Sequence, residues 1–489
     1  MRVVRQLSAY FTGNALTTLA SLISFPLFTR MLTPADYGMM SLVNLTLVLV
    51  VALSKAGLQH ALVREWDPTS AGNDQSNRAV ATTTFYATLF FSLAVCGLLA
   101  LIVAIADLSG KHPASWTLLA IVTAMTLPDV ARTIFTGKLR VMQKAFLFNA
   151  VLVVHKYAQI LLALAFMLVF HRNIYNFFAG MIAASLIVSL ALAVRERAVL
   201  SPRFFDRRLV KPMLIFGLPM VVYELSAITL TFIDRYFLGY FCGAETVGLY
   251  SSAYNLAFFI QTLVQTTVTS TFFSMVTEKL KTDGEAACRV FIQESLLWFL
   301  LVTAAISCGF IALAPDLLIL AASAKYAPAA VIFAPVTIAG WCFGLFSVAM
   351  GELFVARRTL TMAIMIGLAA LFNMLLNLLL IPRYGMLGAA WSGMIPQMAL
   401  AAYGMERLQM WTSPRLLWRM LVAAVPALIM YGAILVMPST TTWPSVFLRC
   451  TVGSLVWMTM AWLTNAELRH YIRGNLSTSK GRFPSRRNN

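Results

Sequence analysis

An ionisable side chain in the middle of an apolar helix can hold a counter-charge, a cation or a proton where water is scarce. This sequence places several such groups. Lys55 lies two-thirds of the way along the apolar run 38–63, Lys156 follows His155 near the centre of 145–170, and Glu224 sits near the centre of 212–241. Asp129 and Arg132 are three residues apart, so they share a helical face and can pair. Arg30 and the dipeptide Asp234-Arg235 stand near the ends of their runs. Glu352 and Arg449 are within a turn or two of an end, where a long side chain snorkels to the head groups. Each intramembrane charge costs about 2.5 to 3.5 kcal/mol on insertion scales, so each requires a partner or an aqueous cavity.

A second polar feature runs along 247–273. Asn255, Thr262, Thr266 and Thr269 are spaced by seven, four and three, which makes one stripe on a helix. A polar stripe on a spanning helix faces protein or water rather than lipid. It reads equally as a cavity wall and as hydrogen-bonding glue between helices. Catalytic constellations are missing: the five histidines form no H-E-x-x-H, and there is no Walker lysine loop and no G-x-S-x-G. The six cysteines are scattered without a C-x-x-C, so they read as small buried hydrophobes rather than metal ligands. No metal site is expected.

The elements that hold these residues follow from composition. Of 489 residues, 60% are hydrophobic and 11% charged, where a soluble domain carries about 25% charged. Apolar runs of about 20 residues, enough to cross a bilayer, recur at 7–30, 38–63, 82–107, 115–136, 145–170, 174–194, 212–241, 247–273, 291–313, 328–354, 360–382, 386–410, 416–437 and 445–466. The reading is an all-α polytopic membrane protein of about fourteen transmembrane helices. A cleaved leader is not expected, because the first run is long and lacks a small-residue cleavage site. Connections are short, and no soluble nucleotide-binding domain fits between the runs.

The net charge of +18 would suggest nucleic acid on a soluble chain. Sorted by alternate connections, however, 27 of the 37 basic residues fall on one face and six on the other. The positive-inside rule then places both termini in the cytoplasm, and the basic tail 467–489 reads as an anchor on anionic lipids. No nucleic-acid partner is implied.

The chain also repeats itself. Gly13, Pro26 and Arg30 are echoed by Gly217, Pro219 and Arg235. Pro34-Ala-Asp36-Tyr-Gly38 is echoed by Gly243-Ala-Glu245-Thr-Val-Gly248, and Ser41-Leu-Val-Asn44-Leu45 by Ser252-Ala-Tyr-Asn255-Leu256. Arg172…Gly180 is echoed by Arg383…Gly393. The offsets drift slowly from 205 to 213, as in a diverged duplication. An offset of 211 maps Lys55 onto Thr266. Two pseudo-symmetric six-helix lobes are expected, 1–194 and 212–410, joined by a cytoplasmic linker 195–211 and followed by two further helices within 411–466. Such paired lobes suit alternating access. Pro26, Pro219 and Pro335 are expected to interrupt their helices, as swinging points or static kinks.

Phe25-Pro-Leu-Phe-Thr-Arg30-Met-Leu-Thr-Pro-Ala-Asp36-Tyr-Gly38 resembles the end of the first helix of polysaccharide-exporter flippases. Ile381-Pro-Arg-Tyr-Gly385-Met-Leu-Gly388-Ala-Ala390 resembles the start of their twelfth. The chain is thus similar to the oligosaccharide-flippase (Wzx-like) branch of the superfamily that includes the MATE exporters and lipid II flippases. The resemblance implies movement of an undecaprenyl-diphosphate-linked oligosaccharide from the cytoplasmic to the periplasmic leaflet of a bacterial inner membrane, with no covalent chemistry and no tightly bound organic cofactor. It puts spans 1, 2, 7 and 8 around a central cavity. There Lys55, Arg30 and Arg235, with the polar stripe of Asn255, Thr262 and Thr266, would meet diphosphate and sugars. Glu224 and Asp234 would bind a coupling Na+ or H+. Asp129, Arg132 and Lys156 remain as further intramembrane charges, equally readable as structural. Partners implied are the lipid-linked glycan, anionic lipids and polymerase or assembly proteins. A MATE-like exporter of small cationic compounds is the alternative, and an acidic cavity would favour it.

Overall fold

The computed structural model describes residues 2–67, 75–108, 115–197, 201–351, 359–464 and 469; for 2–11, 14, 106, 108, 115, 259–271, 273, 274, 277, 281, 359, 360 and 363 only the backbone is described. Apart from two short 3-10 turns, every regular element among them is an α-helix. In order these are α1 (Arg2–Met31), α2 (Pro34–Lys55), α3 (Leu58–Glu65), α4 (Gln75–Leu108), α5 (Ser115–Val141), α6 (Ala145–Val169) and α7 (Ile174–Arg195). Then come α8 (Arg207–Phe232), α9 (Asp234–Ala321), α10 (Phe333–Ala349), α11 (Thr359–Arg407), α12 (Pro414–Val436) and α13 (Trp443–Thr464).

Local chemistry sets the starts. Thr33 caps α2: its hydroxyl accepts from the Asp36 N–H at 3.1 Å and donates to the Asp36 carboxylate at 2.7 Å, with Pro34 in the first turn. Asn173 caps α7 and Asp206 caps α8 in the same way. Ser413, followed by Pro414, opens α12.

The long elements contain the expected boundaries in disguise. Eleven helical stretches among the described residues are long and apolar enough to cross a membrane, beside the shorter apolar Ala15–Met31 of α1. Two of the eleven, Arg207–Phe258 and Ile364–Arg407, have a glycine at positive φ well inside them, Gly243 (85°) and Gly385 (54°). A left-handed residue cannot continue a right-handed helix, so each stretch is two helices. Those glycines fall between the predicted runs 212–241 and 247–273, and between 360–382 and 386–410. Gly284 (φ 80°) likewise separates 247–273 from 291–313. The chain is a multi-pass membrane protein, and with these divisions its described residues hold fourteen long helices beside the short α3.

Two expectations need correction. The run 38–63 is not one helix: α2 stops at Lys55, Ala56 and Gly57 are left-handed, and α3 restarts at Leu58. Pro335 does not interrupt a helix either. It lies in the first turn of α10, after the 3-10 segment Ala324–Ile332, where a missing N–H costs nothing.

The chain packs as two compact units, Met1–Ser251 and Ser252–Asn489. In the first, one core joins Ala20 and Phe28 of α1, Val43 and Val50 of α2, Met125 of α5, and Ala163 and Phe178 of α6 and α7. A second gathers Leu58, Leu62, Phe135, Leu192 and Met213 where α3 meets α5, α7 and α8. In the second unit, Ala305 and Leu313 of α9 pack with Ala427 and Met430 of α12 and Val446 of α13. Those last two helices are ion-paired to α9. Arg419 grips Glu294 with two bonds of 2.7 and 2.6 Å, and Arg449 pairs with Asp316. Arg449, read from sequence as a snorkelling group, is instead buried, 4% exposed, and also reaches the Ile434 carbonyl. Cys450 is exposed, not buried.

Candidate functional site

The break after α2 builds the site. A Cβ on Gly57 would stand 2.1 Å from the Gly217 carbonyl oxygen of α8, and one on Gly217 would stand 2.8 Å from Gly57. Two bare backbones therefore cross here, and only glycine fits at Gly57, which also needs its φ of 71°. Glu224 is two helical turns beyond Gly217 and presents the same face of α8. Lys55, at the C-terminal end of α2, meets it: Nζ to Oε1 is 2.8 Å. The lysine also sits favourably at the negative end of the helix dipole. Gln59 of α3 donates from Nε2 to the second carboxylate oxygen at 3.3 Å, and the same amide nitrogen lies 3.2 Å from His60 Nε2. The side chains of Lys55 and Glu224 are 11% and 27% exposed, so the pair is neither fully sealed nor a surface bridge. Two residues read from sequence as separate devices thus occupy each other, and an anion arriving at Lys55 must compete with Glu224.

Asp234 and Arg235 lie in a sealed network in the same unit. Arg235 donates from Nε to Ser251 Oγ at 3.2 Å and lies over the Phe232 ring at 4.8 Å; Asp234 accepts from the Tyr250 hydroxyl and the Arg235 N–H. Ser251 Oγ is 2.8 Å from Ser41 Oγ of α2, and Thr46 Oγ1 is 2.7 Å from the Tyr236 hydroxyl. Both charges are under 5% exposed in this conformation.

The contacts around Ser41 are reciprocal. A Cβ on Gly38 would collide with the Ala244 carbonyl at 1.9 Å, and one on Gly248 with the Pro34 carbonyl at 1.8 Å. Pro34 and Ala244, Gly38 and Gly248, and Ser41 and Ser251 are each 210 apart. Each residue touches the repeat-mate of its neighbour, and Ser41 touches its own. This is self-complementary packing about a local two-fold axis. The register is 210 at this point, one less than the Ser41–Ser252 alignment drawn from sequence.

A third polar cluster joins α5, α6 and α7. Arg132 Nε is 3.3 Å from Asp129 Oδ1, and His155 Nε2 is 3.6 Å from the same oxygen and 3.1 Å from Ser185 Oγ. Gln159 donates to Ser185 at 3.3 Å, and Ser189 to the Pro128 carbonyl at 2.7 Å. Lys156, next to His155, has no carboxylate partner among the described residues. Arg30 is exposed at the last turn of α1, and Asn255 is exposed on α9. The side chains of Thr262 and Thr266, with Glu352 and the basic tail beyond 469, lie outside the described residues.

Sequence reasoning missed Gln59, Tyr250 and Ser251, and read Ser41 only as part of the repeat. Gln59 follows Lys55 by four, a spacing that signals a shared face, but nothing local marks the serines or the tyrosine.

The arrangement of these helices is the fold seen in solved MOP-superfamily transporters. Lipid II flippase MurJ in an inward closed conformation superposes with a TM-score of 0.77 at 15% identity, over 94% of this chain and 99% of that one. An inward-facing multidrug resistance MATE family transporter gives 0.60 at 16% identity, over 82% and 95%. A MOP superfamily transporter from Pyrococcus furiosus, described by the reverse polarity of its binding pocket, gives 0.53 at 16%, over 84% and 96%. The chain belongs to the family described as polysaccharide biosynthesis protein, whose pattern matches residues 3–278. No curated protein sequence matches it.

Proposed function

We propose that this protein flips an undecaprenyl-diphosphate-linked oligosaccharide, a polysaccharide or O-antigen repeat unit, from the cytoplasmic to the periplasmic leaflet of a bacterial inner membrane. The observation that carries this reading is the Lys55–Glu224 pair at the Gly57–Gly217 crossing. A diphosphate cannot enter a low-dielectric path without counter-charge. Lys55 supplies that charge, and Glu224 holds it in the cargo-free state. The arriving phosphate displaces the carboxylate, and Glu224, freed from Lys55, takes a proton or Na+. Membership in a polysaccharide biosynthesis family and the MurJ-like fold support the cargo class. The prenyl tail stays in lipid while the head group crosses, and no bond is made or broken.

Both termini are cytoplasmic in this reading. Asp234 and Arg235, held by Tyr250 and Ser251, keep α2 against the start of α9 while the opposite end receives cargo. The test is complementation of glycan export in a deletion strain. Lys55→Ala and Glu224→Gln, made to wild-type levels, are each expected to reduce export at least tenfold; wild-type export by both sinks the reading. Unchanged drug sensitivity of the deletion strain separates it from export of small cations.

A further inference from the structure

Of the four basic residues inside the spans, Lys55, Arg132 and Arg449 each meet a carboxylate, at Glu224, Asp129 and Asp316. Lys156 does not. It is half-buried, and its place on α6 shows which way it faces. Asn149, Ile160, Ala163 and Met167, spaced from it by helical repeats, are all buried, whereas Phe146, Val154, Leu161 and Leu168 on the other side are exposed apolar groups. Lys156 therefore points into the protein, on the face where Asn149 meets Gly13 of α1. The helices around it offer no counter-charge. α1, α6 and α7 contain no Asp or Glu, and the single acid of α5, Asp129, already serves Arg132. Arg132 is also within electrostatic reach of His155, as is Lys156, so the neighbourhood carries one positive charge in surplus.

A surplus cation at the middle of a span is tolerated where an anion or an aqueous path compensates it. The diphosphate of the cargo already has its counter-charge at Lys55. A neutral glycan would leave Lys156 unmatched throughout the cycle, whereas an acidic sugar would match it while passing. We propose that Lys156 is a cargo-binding residue that receives a carboxylate or phosphate on the glycan itself, and hence that the translocated oligosaccharide is acidic. This rests on the flippase reading above and adds the charge class of the sugars.

The experiment has two arms. First, the glycan lost on deletion of the gene is purified and analysed for uronic acid, other carboxylate substituents and phosphate; at least one acidic group per repeat is expected. Second, Lys156→Gln and Lys156→Arg are compared for export at matched protein level and matched thermal unfolding in detergent. The expected result is at least a tenfold loss for Lys156→Gln and near wild-type export for Lys156→Arg. A glycan with no acidic group overturns the proposal even if Lys156→Gln fails to fold. Wild-type export by well-folded Lys156→Gln overturns it too. In both cases the flippase reading stands, because deletion still removed a glycan. If deletion changes no glycan, the reading fails and the proposal with it.

Discussion

At the scale of single residues, Lys55 and Glu224 form an ion pair of 2.8 Å. Removing one strands the other in a partly buried place, which for buried pairs costs about 3 to 5 kcal/mol. With Glu224 27% exposed, Lys55→Ala should fall at the low end of that range. Thermal unfolding of purified protein measures it, and a double-mutant cycle with Glu224→Ala should return a clear coupling energy. Additive losses would mean the two charges act independently. The candidates themselves were legible, since a charge in an apolar run stands out without any structure. Their pairing was not, because 169 residues separate them and only the tertiary crossing brings them together. Arg449 shows the converse failure. Its position near a helix end suggested snorkelling, and only its distant partner Asp316 reveals a buried ion pair. Arg449→Ala should therefore destabilise by about 3 to 5 kcal/mol, whereas a true snorkelling group would lose almost nothing in the same unfolding measurement.

At the scale of elements, glycine backbones decide where helices touch. The contacts of Gly38 with Ala244 and of Gly248 with Pro34 leave no room for even a methyl group. Gly38→Ala and Gly248→Ala should each lower the melting temperature and export, and by similar amounts, because the contact is reciprocal. Unequal effects would contradict the local two-fold. Ser41 and Ser251 touch at the same place, so Ser41→Cys combined with Ser251→Cys should form a disulfide on oxidation. If the cycle parts α2 from α9 here, oxidation should stop export and reductant should restore it; export by the oxidised protein would show that this contact never opens. The sequence echo pointed to Gly38, Ser41, Ala244 and Gly248, and to Ser252 in place of Ser251, as relics of duplication. Their direct contact was invisible, since an alignment shows correspondence and not proximity. The break at Ala56-Gly57 was hidden differently: apolar residues resume at Leu58, Ala61 and Leu62, and hydropathy does not register a change of backbone hand.

At the scale of the whole molecule, the fold was readable because a bilayer imposes few solutions. Spanning backbone must satisfy its own hydrogen bonds, so long apolar runs become helices, and glycines mark where one helix ends and the next begins. Gly243, Gly284 and Gly385 stand between the predicted runs. The 27-to-6 division of basic residues predicts that a reporter fused after residue 469 reports cytoplasm, and that one inserted near Arg383 reports periplasm. What composition does not encode is the cargo, which depends on a few side chains and their partners. The central claim is that a lipid-linked oligosaccharide crosses the membrane through the Lys55–Glu224 site. Its most direct test is the leaflet distribution of that lipid in a deletion strain carrying wild-type, Lys55→Ala or Glu224→Gln protein. The account predicts accumulation in the cytoplasmic leaflet without the protein and with either variant, cleared by wild type. Equal clearance by wild type and both variants, at equal protein levels, would contradict it.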